Sequence, residues 1–215
     1  MSIEAPASRL ERRKQRTRAA LIQAAHEFIA AGRLNAPVLE ITQAADVGMG
    51  SFYNHFDSKE QLFSAAVNEV LDRHGAVLDE LTASLTDPAE IFASSFRLTG
   101  RLFRARPQES RVMLSDGLAL IFSDRGLGPR ARRDIAAAAK AGRFSVSDPQ
   151  LALAVAGGAL MGLGQLLLVE PDRDDGEAAD RVTEDVLRLF GMSADNAQEI
   201  CRRPLPDLGG TRRAH

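Results

Sequence analysis

The sequence predicts an all-α protein of about nine helices. Apolar residues recur at helical spacing through almost every segment, whereas an alternation of β-branched residues is sustained nowhere. Prolines and glycines stand where helices are expected to begin or end, as at Pro88, Pro149, Gly142 and Gly191. Together, these three observations favour helices throughout the chain over a sheet.

The N-terminal part is predicted to contain three helices. The first has an apolar stripe that ends near Gly32 and consists of Leu21, Ala25, Phe28 and Ile29. A shorter helix is entered at Pro37 as a first-turn proline, and its apolar residues are Val38, Ile41 and Ala45. The third helix follows a tight turn at Asp46, because aspartate tolerates a positive φ better than most residues.

The rest of the chain is predicted to form a helical body. Asp57 followed by Glu60 is a capping box, and it opens a long helix that reaches Leu81. Shorter helices follow, and the residues that start or stop them are Pro88, Pro107, Gly126, Pro129 and Gly142. Two long helices over residues 149–169 and 174–190 complete the body.

Four segments follow from this arrangement. A basic N-terminal arm at residues 1–18 runs into the first helix, and a helix-turn-helix domain covers residues 9–58. The helical body extends over residues 59–191, and residues 192–215 are interpreted as a C-terminal tail.

The charge distribution suggests a polyanionic partner. Hydrophobic residues are 45% and charged residues 26% of the chain, and the formal net charge is −2, as in ordinary soluble proteins. Between Arg9 and Arg18, however, six basic residues stand against one acidic residue. Such a block favours a polyanion, although a solvated helix face explains it equally well.

The compartment is expected to be the cytoplasm. One cysteine, Cys201, excludes an internal disulfide and favours a reducing setting. The N-terminus lacks the charged-then-apolar layout of a secretory leader.

One apolar segment raises the question of a membrane span. Leu151–Val169 contains a single polar side chain, Gln165, and Gly158 and Gly162 have the spacing of packed membrane helices. Eight of its nineteen residues are nevertheless Gly or Ala, and neither flank offers Trp or Tyr. We therefore expect a helix that is buried by neighbours or by a second subunit, and no membrane contact.

The stretch VGMGSFYNHF, residues 47–56, does not fit a cofactor or metal site. A dinucleotide loop needs a third glycine three residues after Gly50, where Tyr53 stands, and no Gly-Lys-Ser/Thr occurs anywhere. His55 has no second ligand at helical spacing. We expect neither a cofactor nor a metal.

The same stretch fits the second helix of a helix-turn-helix. At about 100° per residue, Phe52 and Phe56 fall together and face the core. The opposite face is small or amide-bearing, and its margins carry hydrogen-bonding rings; these residues are Gly50, Ser51, Asn54, Tyr53 and His55. Such a face can enter a DNA groove, with Asn54 reading adenine edges and with Tyr53, His55 and Lys59 contacting phosphates.

Residues 41–62, ITQAADVGMGSFYNHFDSKEQL, resemble the DNA-binding signature of the TetR/AcrR family of bacterial transcriptional regulators. That signature runs roughly I-A-x-x-A-G-V-S-x-G-T-x-Y-x-H-F-x-S-K-x-x-L. The resemblance covers residues 15–65, and beyond them it is one of helical layout only.

The resemblance implies a homodimeric repressor. Such a protein binds a palindromic operator of double-stranded DNA and is released when a small hydrophobic effector enters the body. The two long helices, 149–169 and 174–190, would form the dimer interface. The expected DNA contacts are Met49, Gly50, Ser51, Tyr53, Asn54, His55 and Lys59, with Arg13 and Arg16 of the basic arm adding electrostatic attachment.

Four residues depart from the family signature. Thr42 replaces the usual alanine, Asp46 the usual glycine and Gly48 the usual serine, which removes a side-chain N-cap. Met49 replaces a frequent Lys, Arg or Pro, so its contact is expected to be apolar.

The effector pocket is less readable. Its candidate lining residues are Phe92, Phe96, Leu102, Met113, Leu118 and Phe122, which fit an ordinary core as well. Ser95, Thr99 and Arg104 could orient a polar group. An activator of the same fold and a small-molecule-binding enzyme remain alternatives, although the four histidines have no nucleophile or paired carboxylate at useful spacing.

Overall fold

The computed structural model describes residues 8–115 and 117–206, without the side chains of residues 118 and 119. The all-α prediction is confirmed, since every described element is a helix. Three predicted features lie outside the described residues and side chains, namely the side chain of the predicted lining residue Leu118, the beginning of the basic arm and the end of the tail. The chain divides into two compact units, Met1–Glu69 and Val70–His215, and α4 contributes to both.

The helices differ in number from the sequence prediction. Their bounds are α1 Arg9–Ala30, α2 Val38–Ala44, α3 Met49–Tyr53, α4 Lys59–Thr82, α5 Pro88–Ala105, α6 Pro107–Ser115, α7 Gly117–Ile121, α8 Leu127–Lys140, α9 Pro149–Val169, α10 Asp175–Leu189 and α11 Ala194–Arg202. The additional helices are α7, described separately from α6, and α11, which the sequence analysis did not predict.

The first unit packs α1, α2 and α3 around a small core. Leu21, Ile41, Phe52 and Leu62 are all fully buried there. The basic block belongs to α1 itself, because the side chain of Ser8 caps the helix by accepting a hydrogen bond from the Glu11 amide at 3.1 Å. The predicted arm is therefore helical from Arg9 onward.

The start of α4 corrects the predicted capping box by one residue. Ser58, and not Asp57, accepts the Gln61 amide through its Oγ at 3.2 Å. The Gln61 side chain in turn accepts the amide of Asp57 at 2.6 Å. Ser58 therefore caps α4, and the Gln61 side chain accepts a hydrogen bond from the amide one residue before the cap, in a variant of the capping box.

In the second unit, α5 packs against α8, α9 and α10. Arg97 of α5 is 4% exposed and donates to both carboxylate oxygens of Asp180 on α10, at 2.7 and 3.3 Å. Its other nitrogen, Nη1, donates to the carbonyl of Arg203 at 3.0 Å. One buried guanidinium thus ties together α5, α10 and the end of α11.

Residues 194–202 are helical, which corrects the interpretation of 192–215 as a tail. Ser193 caps α11 by accepting the Asn196 amide at 3.3 Å. Ala197, Ile200 and Cys201 are buried, so one apolar face of α11 completes the packing of α5 and α10. Burial raises the pKa of the Cys201 thiol to about 11, which keeps it protonated at neutral pH.

The glycines of α9 divide into two pairs with different surroundings. A Cβ on Gly157 would lie 2.7 Å from Ile121, and one on Gly164 would lie 2.9 Å from Leu114. A Cβ on Gly158 or Gly162 would meet nothing within 4 Å. Close packing inside the chain therefore requires Gly157 and Gly164, whereas Gly158 and Gly162 face open space.

Candidate nucleic-acid interface and cavities of the helical body

The turn between α2 and α3 has the predicted conformation. Asp46 has a φ of +52°, and no other described residue except glycine has a positive φ. The amide of Val47 donates to the carbonyl of Thr42 at 3.0 Å, which closes the turn. Asp46 therefore takes the left-handed conformation without glycine at this position.

The other departures from the family signature have local explanations. The Thr42 hydroxyl is buried and donates to the Leu39 carbonyl at 2.9 Å, so it leaves no unpaired polar group. Gly48 is the N-cap of α3 and provides no side-chain bond to the helix.

Helix α3 separates a buried face from an exposed one. Phe52 and Phe56 are 0% and 3% exposed, as their spacing predicts. Met49 is 39% and Tyr53 59% exposed, so α3 presents an apolar chain and a phenol ring to solvent. Gly50 and Asn54 are also exposed, and Ser51, His55 and Lys59 are half-buried.

Gly50 leaves a low point on this exposed face. A Cβ built on it would meet nothing within 4 Å, so packing within the protein does not require glycine here. The absence of a side chain instead lets another molecule approach the α3 backbone closely.

Basic side chains of α1 lie beside the end of α3. Partial burial, with the nearby charges of Lys14 and Arg18, lowers the pKa of His55 below its ordinary value. The guanidinium carbon of Arg18 also lies 5.4 Å from the centroid of the Phe56 ring. Arg13 and Arg16 are exposed on the same helix. Lys14 and Arg18 therefore place positive charge beside the end of α3, where it suits phosphate oxygens.

The second unit contains a cavity of about 60 Å³ that is polar at one end. Its polar end is formed by Asp79 of α4 and by Arg130, Arg133 and Asp134 of α8. Arg130 donates to Asp79 at 2.8 Å through Nε, and Arg133 donates to Asp134 at 2.9 Å. Carboxylate acceptors and guanidinium donors thus lie side by side, an arrangement that suits a hydroxyl group that both donates and accepts.

Burial makes this polar end sensitive to protonation. Asp134 is 7% exposed, and its burial raises its pKa above the ordinary value despite the hydrogen bond and charge of Arg133. The sequence did not predict these four charged residues, Asp79, Arg130, Arg133 and Asp134, as members of a site. Their only sequence signal is the spacing of residues 130, 133 and 134 on one face of α8, which predicts neighbours but no cavity.

A buried histidine supports the wall of the same cavity. Thr99 lines the cavity and donates its hydroxyl proton to the Ser95 carbonyl at 2.8 Å. His74 Nε2 lies 3.0 Å from the Thr99 oxygen and must therefore be the donor. Burial, with the charge of Arg106, lowers the pKa of His74 to about 4, so the ring is neutral at physiological pH.

A second cavity, of about 70 Å³, has an apolar lining. Phe92 and Phe96 line both cavities, and Met113 lines the second. Leu102 is buried and Phe122 is 55% exposed, and neither lines either of these two cavities. Ser95 and Thr99 lie on the first cavity's wall, whereas Arg104 donates to the Glu170 carbonyl outside both.

The described residues contain no candidate metal centre. No group of three His, Cys, Asp or Glu side chains in residues 8–115 and 117–206 is placed to hold a metal ion. His26 is bonded to the Ala66 carbonyl, whereas His55 and His74 lie in the separate settings described above.

Helix α9 is long and apolar enough to span a membrane by length and composition. Core helices of soluble proteins pass the same test, and 33% of its most apolar stretch is buried within the chain.

Comparison with known proteins places both units in one family. Residues 21–66 match the family described as bacterial regulatory proteins, tetR family. Residues 87–203 match the family described as tetracyclin repressor-like, C-terminal domain. No curated protein matches the chain.

Solved structures agree with this assignment. RolR in complex with resorcinol is 33% identical, with a TM-score of 0.66 over 92% of this chain and 98% of that one. RolR without ligand is 34% identical, with a TM-score of 0.74 over 88% and 98%. The fatty acid degradation regulator FadR from Bacillus halodurans, at 20% identity and a TM-score of 0.68 over 86% and 97%, shares the fold.

The chain combines a helix-turn-helix unit, in which one face of α3 is exposed, with a helical unit that contains cavities. This combination is typical of a ligand-responsive DNA-binding transcriptional regulator. The chain belongs to the TetR family of bacterial regulatory proteins.

Proposed function

We propose that the chain is a cytoplasmic repressor that binds a palindromic operator as a homodimer. The observation that carries this proposal is the exposed face of α3, where Gly50 is open to solvent and basic side chains of α1 lie beside it. Met49, Gly50, Ser51 and Asn54 face the bases in this proposal. Tyr53, His55 and Lys59 contact phosphates, and Arg13 and Arg16 strengthen attachment regardless of sequence.

Salt dependence tests the proposed role of α1. Replacing Arg13 and Arg16 together by alanine is expected to reduce the slope of log affinity against log salt by about two per subunit. Operator affinity falls by the same factor for every sequence, because these contacts do not read bases. The measurement is a fluorescence-anisotropy titration at several salt concentrations, with an operator selected from a random duplex pool.

A matched control removes the same charge elsewhere. Arg132 on α8 and Arg202 on α11 are exposed, and their double replacement by alanine should leave the slope near that of the native protein. Equal slopes for the two double variants would contradict the proposed attachment through α1.

We propose that α9 and α10 form the dimer interface. Leu151, Val155, Gly158, Gly162 and Val169 recur along α9 at intervals of three, four and seven residues, and three of them are large exposed apolar side chains. A second copy of this face would cover them, and the open space at Gly158 and Gly162 would allow close approach of the two helices.

Gly158→Leu is expected to have opposite effects on folding and on association. The new side chain obstructs the proposed interface and weakens the dimer by about 10- to 100-fold. The subunit itself becomes slightly more stable, because glycine disfavours a helix interior. Analytical ultracentrifugation measures the affinity of the dimer, and urea unfolding of the monomer measures the stability of the subunit. Ala137→Leu on the exposed face of α8 is the control, and an unchanged dimer in Gly158→Leu would refute this interface.

We infer that the effector is a small hydroxylated aromatic molecule bound in the polar-ended cavity. RolR, at 33% identity, was crystallised with resorcinol, and the cavity here offers aromatic walls at Phe92 and Phe96. Asp79 and Asp134 accept hydroxyl protons, whereas Arg130 and Arg133 donate to hydroxyl oxygens. Since α4 lines the cavity and begins at Lys59 beside the proposed DNA contacts, a ligand that shifts α4 can release the operator.

A further inference from the structure

The two cavities of the second unit adjoin. Five side chains line both of them, namely Phe92, Phe96, Leu127, Ala131 and Leu160. The chemistry changes across this shared wall. On one side lie the charged groups of Asp79, Arg130, Arg133 and Asp134, and on the other side every lining residue among those the structure describes is apolar or glycine.

Small residues form part of the wall of the second cavity. Ala156 and Gly157 of α9 and Gly128 of α8 are on its wall. A Cβ on Gly157 would lie 2.7 Å from the Ile121 side chain, and one on Gly128 would lie 2.6 Å from the Ile121 carbonyl oxygen. The backbones at Gly157 and Gly128 therefore pack closely against Ile121, which lines the same cavity.

This space is large enough to hold part of a ligand and offers water little. About 70 Å³ is several times the roughly 10–15 Å³ that one water molecule needs. A buried water, however, needs two to four polar partners, and the side chains on this wall provide none. An apolar group entering the space displaces little bound water and gains contacts with the apolar side chains that line it.

We propose that the effector is amphipathic: a hydroxylated ring in the first cavity that carries a short alkyl substituent reaching into the second. This inference rests on the proposed effector class and adds the apolar substituent to it. A ring with hydroxyls alone engages the charged groups but leaves the adjoining apolar space empty. Each methylene that the second cavity buries tightens binding by about fourfold.

A chain-length series on the native protein tests the proposal. Binding of resorcinol and of its 5-methyl, 5-propyl and 5-pentyl derivatives is measured by isothermal titration calorimetry, with pentylbenzene as the ligand without hydroxyls. The 5-propyl compound is expected to bind about 60-fold more tightly than resorcinol. The gain should level off once the second cavity is full, and pentylbenzene should bind far more weakly than 5-pentylresorcinol.

A variant that fills the second cavity tests whether the alkyl chain gains its affinity there. Ala156 is 3% exposed and lines only the second cavity, so Ala156→Leu should leave resorcinol binding unchanged and remove most of the gain from the alkyl chain. Ala137→Leu makes the same substitution on the exposed face of α8, away from both cavities, and should preserve the whole series.

The outcomes separate the two proposals. Resorcinol binding with no gain along the series would overturn the amphipathic effector and leave the effector class intact. Failure of every hydroxylated compound, or equal binding of pentylbenzene and 5-pentylresorcinol, would overturn the effector class itself. A gain that survives in Ala156→Leu would place the alkyl chain outside the second cavity and refute the inference.

Discussion

Gly50→Glu is expected to weaken operator binding by about 100-fold or more, with little change in the free energy of unfolding. The glutamate side chain would occupy the space through which the groove floor approaches α3, and its charge would repel the phosphates. The fold should tolerate the change, because a Cβ at residue 50 meets nothing within 4 Å. Operator titration and urea unfolding measure the two quantities on the same preparation.

The control for Gly50→Glu is the same charge change at a remote exposed site. Gln198→Glu on α11 adds one negative charge and should alter operator affinity by no more than a few-fold through long-range repulsion. If the two variants bind the operator equally well, α3 does not enter the groove at Gly50.

Asp180→Ala is expected to reduce the free energy of unfolding by about 3–5 kcal/mol. Asp180 accepts hydrogen bonds from Arg97 Nε and Nη2, and Arg101 Nη1 lies 2.8 Å from the same carboxylate. Its removal leaves the guanidinium of Arg97, 4% exposed, without a counter-charge. Urea denaturation with an unchanged m-value would measure the loss.

Asp185→Ala on the same helix is the matched control. Its carboxylate is 55% exposed and lies 3.9 Å from Arg181 and from Arg188, so its loss should cost less than about 1 kcal/mol. If the two variants lose similar amounts of unfolding free energy, the burial of Arg97 does not determine the loss in Asp180→Ala.

The loss of stability in Asp180→Ala is expected to depend on pH in a defined direction. Burial acts to raise the pKa of Asp180, but the hydrogen bonds and charges of Arg101 and Arg97 outweigh it and lower the pKa below its ordinary value. A lowered carboxylate pKa contributes stability above the unfolded-state pKa, and that contribution is lost as pH falls through the folded-state pKa. The difference in the free energy of unfolding between the native protein and Asp180→Ala should therefore become smaller as the pH is lowered.

The helix-turn-helix was predictable because its determinants are local. The positive φ of Asp46 and the spacing that puts Phe52 and Phe56 on one face of the chain depend on neighbours a few residues away. The cap of α4 shows the limit of such reasoning. Asp57 with Glu60 and Ser58 with Gln61 both have capping-box spacing, and only the three-dimensional structure distinguishes them.

The cavities were not predictable in the same way. Their walls combine side chains of α4, α5, α8 and α9, and which residues meet depends on the packing of helices far apart in sequence. Periodicity correctly placed Phe92, Phe96 and Leu102 on apolar helix faces, but it could not distinguish the core from the cavity wall. Helix α11 was missed because its apolar face is short and prolines follow it closely.

The position of Cys201 has a practical consequence for following motion in this protein. The thiol is the chain's only one, is 6% exposed, and is held protonated by its surroundings. The thiolate is the form that attacks alkylating reagents, so burial protects this sulfur both by limiting access and by raising its pKa. The rate of its modification therefore reports how often α11 detaches, and a cysteine engineered on any exposed surface would react long before it.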